Sequence, residues 1–172
     1  KEVEGMLILD VQVGKSTIQK ELPKFKTYLE QPDVHFAIDP EFSMKTGKAP
    51  GTVIGTYDAE DINYVIDYLA DIVREKQLPP KILVVHRFTQ AMVTNAENIQ
   101  PRPEVQVVMH MDGWGSKERK KDTYDHIVAP EPVQFMGLKI FYKNDLKPPS
   151  TGLLTPAEVL ALYPKPVYVQ YQ

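Results

Sequence analysis

Short apolar segments that end in polar residues constrain the fold of this chain more than any other feature of its sequence. Residues 35–42 follow an apolar strand pattern that ends in Asp39 and Glu41, one on either side of a proline. Four more apolar runs, at 7–10, 82–86, 107–112 and 136–139, also end in polar residues. Strands with polar groups at their C-terminal ends are typical of α/β sheets and barrels that have one active face.

The order of the periodic segments predicts a parallel sheet. Strand patterns begin near residues 5, 34, 81, 105, 134 and 167, and most are separated by helical patterns. Such alternation favours parallel pairing with right-handed crossovers. One face then collects a polar residue from each of five strands, as in a barrel: Asp10, Asp39, His86, Asp112 and Lys139. We therefore predict a parallel (β/α) barrel of the TIM type, with an open doubly wound sheet as the alternative.

The length of the chain predicts one domain, but six βα units are too few for an eight-stranded barrel. The chain begins at Lys1 rather than Met and reaches its first strand within a few residues. We expect residues 1–172 to form a single incomplete barrel, the C-terminal part of a longer protein whose N-terminal units and any leader are missing.

Composition excludes several classes of function. The sequence contains no cysteine, so disulfides, thiolate metal sites and a cysteine nucleophile are ruled out. A net charge of −3 argues against a nucleic-acid partner. The one basic run, Lys117, Arg119, Lys120 and Lys121, is expected to be a solvated helix face.

Local signals mark several helix boundaries and one long loop. Ser16, with Gln19 three residues later, suggests a capping box, and Asp58 precedes the clearest amphipathic stripe. Thr155 followed by a proline predicts an N-cap and first helical position. The connection over residues 43–57 is longer than is usual in a compact domain, which more often indicates a functional loop than an idle one.

Asp39 and Glu41 are the first candidates for catalysis. If the strand continued through them, their side chains would point the same way, roughly 6.6 Å apart. Repulsion between two such carboxylates tends to keep a proton on one of them, which places an acid beside a base. The structural alternative is that Asp39 caps the loop and Glu41 is solvated.

Asp112 and His86 complete the predicted catalytic set. Asp112 opens a glycine-rich loop, and Trp114 within that loop offers a flat surface on which a sugar could stack. The alternative is an Asp–Gly turn with the tryptophan in the core. His86 could be a base, a metal ligand or a hydrogen-bonded core residue. Further substrate-binding candidates on the same face or at the last strands are Asp10, Lys139, Tyr142 and Gln172. We expect Lys139 to form an ion pair with Asp112 or Glu41.

A family resemblance adds to this interpretation. The runs at 39–42, 79–86, 111–113 and 137–142, with the closing residues 171–172, resemble a family of uncharacterised bacterial secreted proteins and lipoproteins. The similarity extends over nearly the whole chain. It implies a glycosidase type of TIM barrel and an extracytoplasmic location, with attachment to a membrane only through a missing leader; a cytoplasmic location stays open.

Three hypotheses follow for function. The first is a glycoside-hydrolase-like domain that acts, without a cofactor, on a cell-envelope or extracellular carbohydrate through carboxylate acid/base catalysis. The second is a metal-dependent hydrolase such as a phosphodiesterase, in which five polar residues would form the cage: Asp10, Asp39, Glu41, His86 and Asp112. The third is a non-catalytic carbohydrate-binding or surface module.

Overall fold

The computed structural model describes residues 5–172, and a six-stranded parallel sheet forms its centre. The strand order β1-β2-β4-β6-β7-β8 follows the chain in one direction, and the sheet curls like half of a barrel. A separate two-stranded sheet pairs β3 with β5. The strands are β1 Leu7–Val11, β2 Val34–Ile38, β3 Tyr57–Asp58, β4 Lys81–Arg87, β5 Val93–Thr94, β6 Val105–Met111, β7 Phe135–Ile140 and β8 Tyr168–Tyr171.

Helices cover the sheet unevenly. Only α3 is long, with 18 residues. The others have four to seven residues, and 3₁₀ turns and one π-helical turn fill much of the remaining connections. The α-helices are α1 Ile18–Glu21, α2 Lys26–Leu29, α3 Ala59–Lys76, α4 Lys117–Thr123 and α5 Pro156–Leu160, and the π-helical turn is Tyr124–Val128.

The prediction of a TIM-type barrel, complete or lacking N-terminal units, is wrong. Within residues 5–172, β1 pairs only with β2 and β8 only with β7, so the sheet does not close. The connection from β4 to β6 holds only 3₁₀ turns and the short β5. Prolines lie in several of these connections, for example Pro101 and Pro103, and a proline inside a helix removes a hydrogen bond and clashes with the preceding turn. The doubly wound alternative is also wrong, because the strand order never reverses.

The apolar residues of the strands divide between the two faces of the sheet. The helix-covered face contributes the main hydrophobic core, whose strand residues include Leu9, Phe36, Ile38, Leu83, Val85, Met109, Met111, Leu138 and Ile140. The opposite face holds a small second cluster of Ala37, Val84 and Val108, against which Ile8, Ile82 and Tyr168 pack. The polar residues at the strand ends continue this second face.

Helix boundaries follow local capping chemistry in two of three predicted cases. Asp58 and Asp61 form a capping box at the start of α3, and Thr155 and Glu158 form another at the start of α5. The predicted box at Ser16 is wrong: its hydroxyl donates to the Glu21 carboxylate at 2.6 Å, so it does not cap the backbone. The proline-containing 3₁₀ turn Leu22–Phe25 then separates α1 from α2.

No helix among residues 5–172 is both long and apolar enough to span a membrane.

Candidate functional site at the C-terminal ends of the strands

A cavity of roughly 470 Å³ lies where the central strands end. The strands are parallel, so their C-terminal residues meet at one edge of the sheet, and the loops that follow β1, β2, β4, β6 and β7 form the walls. The wall is made of acidic, basic and aromatic side chains. The lining residues are Gln12, Asp39, Glu41, Phe42, Ile54, Phe88, Thr89, Asp112, Gly113, Trp114, Arg119, Thr123, Lys139, Phe141 and Gln172.

His86 lies beneath this cavity, between two carboxylates. Its Nε2 is 3.1 Å from Oδ2 of Asp10, and its Nδ1 is 3.0 Å from Oδ2 of Asp112. The side chains of His86 and Asp112 are buried, whereas that of Asp10 is 42% exposed. Nδ1 of His86 makes no well-aligned hydrogen bond, so its contact with Asp112 is mainly an attraction between charges.

The two carboxylates make His86 a cation. Burial by itself would lower the pKa of His86, but the contacts with Asp10 and Asp112 outweigh it and raise the pKa to about 10. Burial raises the pKa of the Asp10 carboxyl, yet His86 and the nearby Lys139 charge lower it overall. Asp10, His86 and Asp112 therefore form an ionic group, buried at His86 and Asp112, that links β1, β4 and the loop after β6.

Asp39 is held rigidly at the end of β2. Its Oδ2 accepts a hydrogen bond from Gln12 at 2.8 Å, and its Oδ1 accepts one from the backbone N–H of Glu41 at 3.0 Å. The chain does not continue as a strand there: Asp39 caps the 3₁₀ turn Pro40–Phe42, so the expected strand spacing between the two carboxylates is wrong. Both side chains nevertheless line the same cavity. Burial and the charge of Asp112 raise the pKa of Asp39.

Glu41 is the less restrained of the two acids. Its side chain is half-buried, and across the described residues it accepts no hydrogen bond and forms no ion pair. Burial, followed by repulsion from Asp39 and Asp112, raises the pKa of Glu41. The long loop after β2 returns over its backbone, because Gly55 donates to the Glu41 carbonyl at 2.7 Å. An added Cβ at Gly55 would lie 2.5 Å from two backbone carbonyl oxygens, so only glycine fits there.

The loop that carries Trp114 is anchored from below by a buried ion pair. Lys120 donates to the Gly113 carbonyl at 2.7 Å and lies 3.1 Å from Asp145. Asp145 also accepts hydrogen bonds from the backbone N–H groups of Gly115 and Phe141, both at 2.9 Å. This network fixes the loop while leaving Trp114 49% exposed at the cavity. The prediction that the basic run is solvated is therefore wrong for Lys120, whose side chain is buried, with 2% of the residue exposed.

The remaining predicted substrate-binding residues divide into two groups. Lys139 and Gln172 line the cavity. The expected ion pair of Lys139 is wrong, since its Nζ lies 4.8 Å from the ring centre of Phe141 and within 4.0 Å of no carboxylate in the described chain. Tyr142 stacks on Tyr171 with ring centres 5.7 Å apart and lies outside the cavity lining. Asp10 also lies outside the lining and reaches the site only through His86.

His110 forms a buried layer below His86. The two rings meet edge to face with centres 5.2 Å apart, and neither ring nitrogen of His110 has a hydrogen-bond partner. Burial, together with the charges of His86 and Lys139, lowers the pKa of His110 well below its ordinary value. Gly137 leaves the space for this ring, because a Cβ there would lie 2.3 Å from Nδ1 of His110.

Several residues that line the cavity are not among the predicted site residues, and Gln12, Arg119 and Phe88 illustrate why. Gln12 shares a strand face with Asp10, and that alternation is a signal that could have linked it to the site. Arg119 was placed with the solvated basic run, and no local pattern distinguishes it. Phe88 follows β4 directly and packs against Gly113, where a Cβ would come within 2.8 Å of the Phe88 Cβ.

The described residues contain no group of three or more His, Asp or Glu side chains arranged to hold a metal ion. No protein-family model, curated protein or solved structure matches the chain. Function therefore has to be inferred from the geometry and chemistry of the cavity.

Proposed function

We propose that this protein is a hydrolase that cleaves a glycosidic bond, with Glu41 as the general acid. The observation that carries the proposal is a half-buried carboxyl with a raised pKa, which shares a cavity with a second carboxyl and an exposed tryptophan. A carboxyl with a raised pKa keeps its proton to higher pH than an ordinary glutamate and can donate it to a leaving oxygen. An exposed aromatic face supplies the flat apolar surface that a sugar ring can cover.

The balance of charge supports a proton on Glu41. Four carboxyl groups gather at the site, on Asp10, Asp39, Glu41 and Asp112, together with three cations, on His86, Lys139 and Arg119. The single charge of His86 neutralises only part of the charge on the two carboxylates that it contacts. Lys139 lies too far from any of the four carboxyl groups for a direct ion pair. The remaining negative charge is lowered most readily by protonation of the carboxyl that contacts neither a hydrogen-bond donor nor a cation, which is Glu41.

The proposed reaction assigns one role to each of three acids. Glu41 transfers its proton to the glycosidic oxygen as the bond between that oxygen and the anomeric carbon breaks. The ring carbon becomes positively charged, and the carboxylate of Asp112 stabilises that charge. Water adds to the same carbon and gives its proton to Asp39, whose raised pKa suits it to accept one. Asp39 later returns a proton to Glu41 through solvent, which restores the starting state.

The test is a survey of activity with matched variants. Aryl α- and β-glycosides and plant and bacterial cell-wall polysaccharides would be offered to the native protein, to Glu41→Gln and to Glu60→Gln, whose glutamate is exposed on α3. We expect Glu41→Gln to lower kcat by about 10²- to 10⁴-fold with an unchanged unfolding midpoint. Full activity in Glu41→Gln, or no turnover of any glycoside by the native protein, contradicts the proposal.

A second candidate is a carbohydrate-binding domain without catalysis. The observation that favours it is that both Asp39 oxygens already accept hydrogen bonds from the protein, which reduces their capacity to act on water. Binding of glycans without hydrolysis, followed through the fluorescence of Trp114, the only tryptophan in the sequence, would select this candidate. In either case the resemblance to bacterial secreted proteins and lipoproteins suggests an extracytoplasmic carbohydrate.

A further inference from the structure

Basic side chains at the cavity differ from other basic residues nearby in having no acidic partner. Within the basic run, Lys117 lies 2.9 Å and Lys121 3.6 Å from Glu158, and Lys120 pairs with Asp145. Arg119 has no carboxylate within 4.0 Å in the part of the chain that the structure describes, and it lines the cavity instead.

Two cations, Arg119 and a residue outside the basic run, Lys147, lie over the ring of the exposed tryptophan. Nζ of Lys147 is 5.0 Å from the ring centre of Trp114, and the guanidinium carbon of Arg119 is 6.0 Å from it. The stem of Arg119 lies against Gly115, where an added Cβ would come within 2.7 Å of its Cδ. The position of Arg119 is thus set by contact with the same loop that carries Trp114. Lys147, like Arg119, forms no ion pair within residues 5–172.

The cavity lining carries both kinds of charge. Asp39, Glu41 and Asp112 are its acids, Lys139 and Arg119 are its bases, and Lys147 lies over the Trp114 ring outside the lining. A neutral sugar bound beside Trp114 would leave Arg119 and Lys147 without an acidic partner. A sugar bearing a carboxylate would supply one, because a guanidinium matches the two oxygens of a carboxylate and an ammonium adds a further charge.

We propose that the carbohydrate bound in this cavity is acidic, and that Arg119 and Lys147 hold the carboxylate of a uronic-acid residue bound beside Trp114. This inference rests on the proposed function, because it names the class of sugar that the same cavity accepts. The two cations also keep the substrate's negative charge away from Glu41, so the scissile bond, rather than the carboxylate, approaches the acid. Arg119 and Lys147 are specificity-determining residues in this arrangement, and neither takes part in proton transfer.

The experiment compares acidic and neutral sugars that differ only at C6. One pair is the β-1,4-linked glucuronate hexamer and cellohexaose, and the other is the α-1,4-linked galacturonate hexamer and its carboxyl-reduced form. Binding would be followed by Trp114 fluorescence in the native protein, Arg119→Gln, Lys147→Gln and the control Lys165→Gln, whose exposed lysine is outside the cavity lining.

The expected result is an affinity at least roughly tenfold higher for the acidic member of one pair at low ionic strength, decreasing in 0.5 M salt because exposed charges are screened. Arg119→Gln and Lys147→Gln should each remove most of this preference, whereas Lys165→Gln should keep it. Equal binding of the neutral member, a preference that survives Arg119→Gln, or no binding of any of the four sugars overturns the inference. If neutral glycosides are cleaved in a Glu41-dependent manner, the proposed function stands even though this inference fails. If the acidic sugars bind as expected but Glu41→Gln does not change turnover, this inference stands and the proposed function fails.

Discussion

Replacing His86 by glutamine should change how the stability of this protein depends on pH. In the native protein the buried imidazolium lies 3.1 Å from Asp10 and 3.0 Å from Asp112. Glutamine keeps polar atoms at this position but cannot carry the charge, which leaves Asp112 buried without its cation. Removing one partner of a buried ion pair typically destabilises a protein by about 3–5 kcal/mol, and we expect a loss of that order at pH 7.

The magnitude can be worked from the shift in the pKa of His86. The pKa rises from 6.5 to about 10 on folding, and at 1.36 kcal/mol per unit this difference corresponds to about 5 kcal/mol. Because the folded-state pKa is the higher one, the stabilisation is fully present below pH 6.5 and is lost as the pH rises towards 10. Between pH 7 and pH 9 the folded state keeps a proton that the unfolded state has released. Stability therefore falls by about 3 kcal/mol from this group alone.

Urea unfolding between pH 6 and pH 9.5 measures this effect, with circular dichroism as the signal. The difference in unfolding free energy between native protein and His86→Gln should shrink as the pH rises, because only the native protein loses this term. His126→Gln, which changes an exposed histidine, should run parallel to the native curve. Asp10→Asn is a milder variant that removes the more exposed of the two carboxylates. Because His86 then keeps only one acidic partner, the decline in stability should occur at lower pH. If the free energies of unfolding of the native protein and of His86→Gln change in parallel over the whole pH range, His86 is not held as a cation between the two carboxylates.

Three further perturbations test the surroundings of the site. The lowered pKa of His110 means that below pH 6.5 the unfolded state binds a proton that the folded state does not, so stability falls with decreasing pH. Between pH 6.5 and pH 5, His110→Phe should therefore reduce the change in the free energy of unfolding, measured in urea, by about 1–2 kcal/mol. An unchanged dependence of this free energy on pH contradicts the prediction. Gly137→Ala would place a Cβ 2.3 Å from Nδ1 of His110 and should lower the free energy of unfolding by about 1–3 kcal/mol in urea titrations, whereas a neutral effect would show that the ring can move. Asp145→Asn leaves Lys120 buried without its carboxylate and should destabilise the protein by about 3–5 kcal/mol; lower fluorescence anisotropy of Trp114 should accompany this loss if Asp145 anchors the loop.

Local sequence patterns predicted the strands and the long helix well, because these depend on short-range signals. The run from 105 to 111 is a strand over the same residues, and Asp58 starts the long helix as its position before the apolar stripe predicts. The closure of a barrel is different, since it depends on whether β1 and β8 meet. That pairing is a contact between the two ends of the chain, and no periodicity within either strand specifies it.

The site could be predicted only to the level of the sheet edge. Parallel strands bring their C-terminal ends together, so Asp39, His86 and Asp112 could be expected near one another from their positions in the sequence. The residue that each of these side chains contacts could not be predicted from the sequence. Glu41 lies on a 3₁₀ turn rather than on a strand. Arg119 differs from the other basic residues of 117–121 only in its tertiary contacts, which place it in the cavity lining. A helical pattern identifies the segment that carries such a residue, but not what it contacts.

The last residue of the sequence has a practical consequence for work on this protein. The backbone of Gln172 donates to Ile140 at 2.9 Å and accepts from Tyr142 at 2.7 Å, and its side chain lines the cavity. A purification handle fused directly after Gln172 would therefore start at the cavity and would obstruct access to it. The N-terminal end of β1 lies at the opposite edge of the sheet, so a handle on that side of the molecule would leave the cavity free for binding measurements.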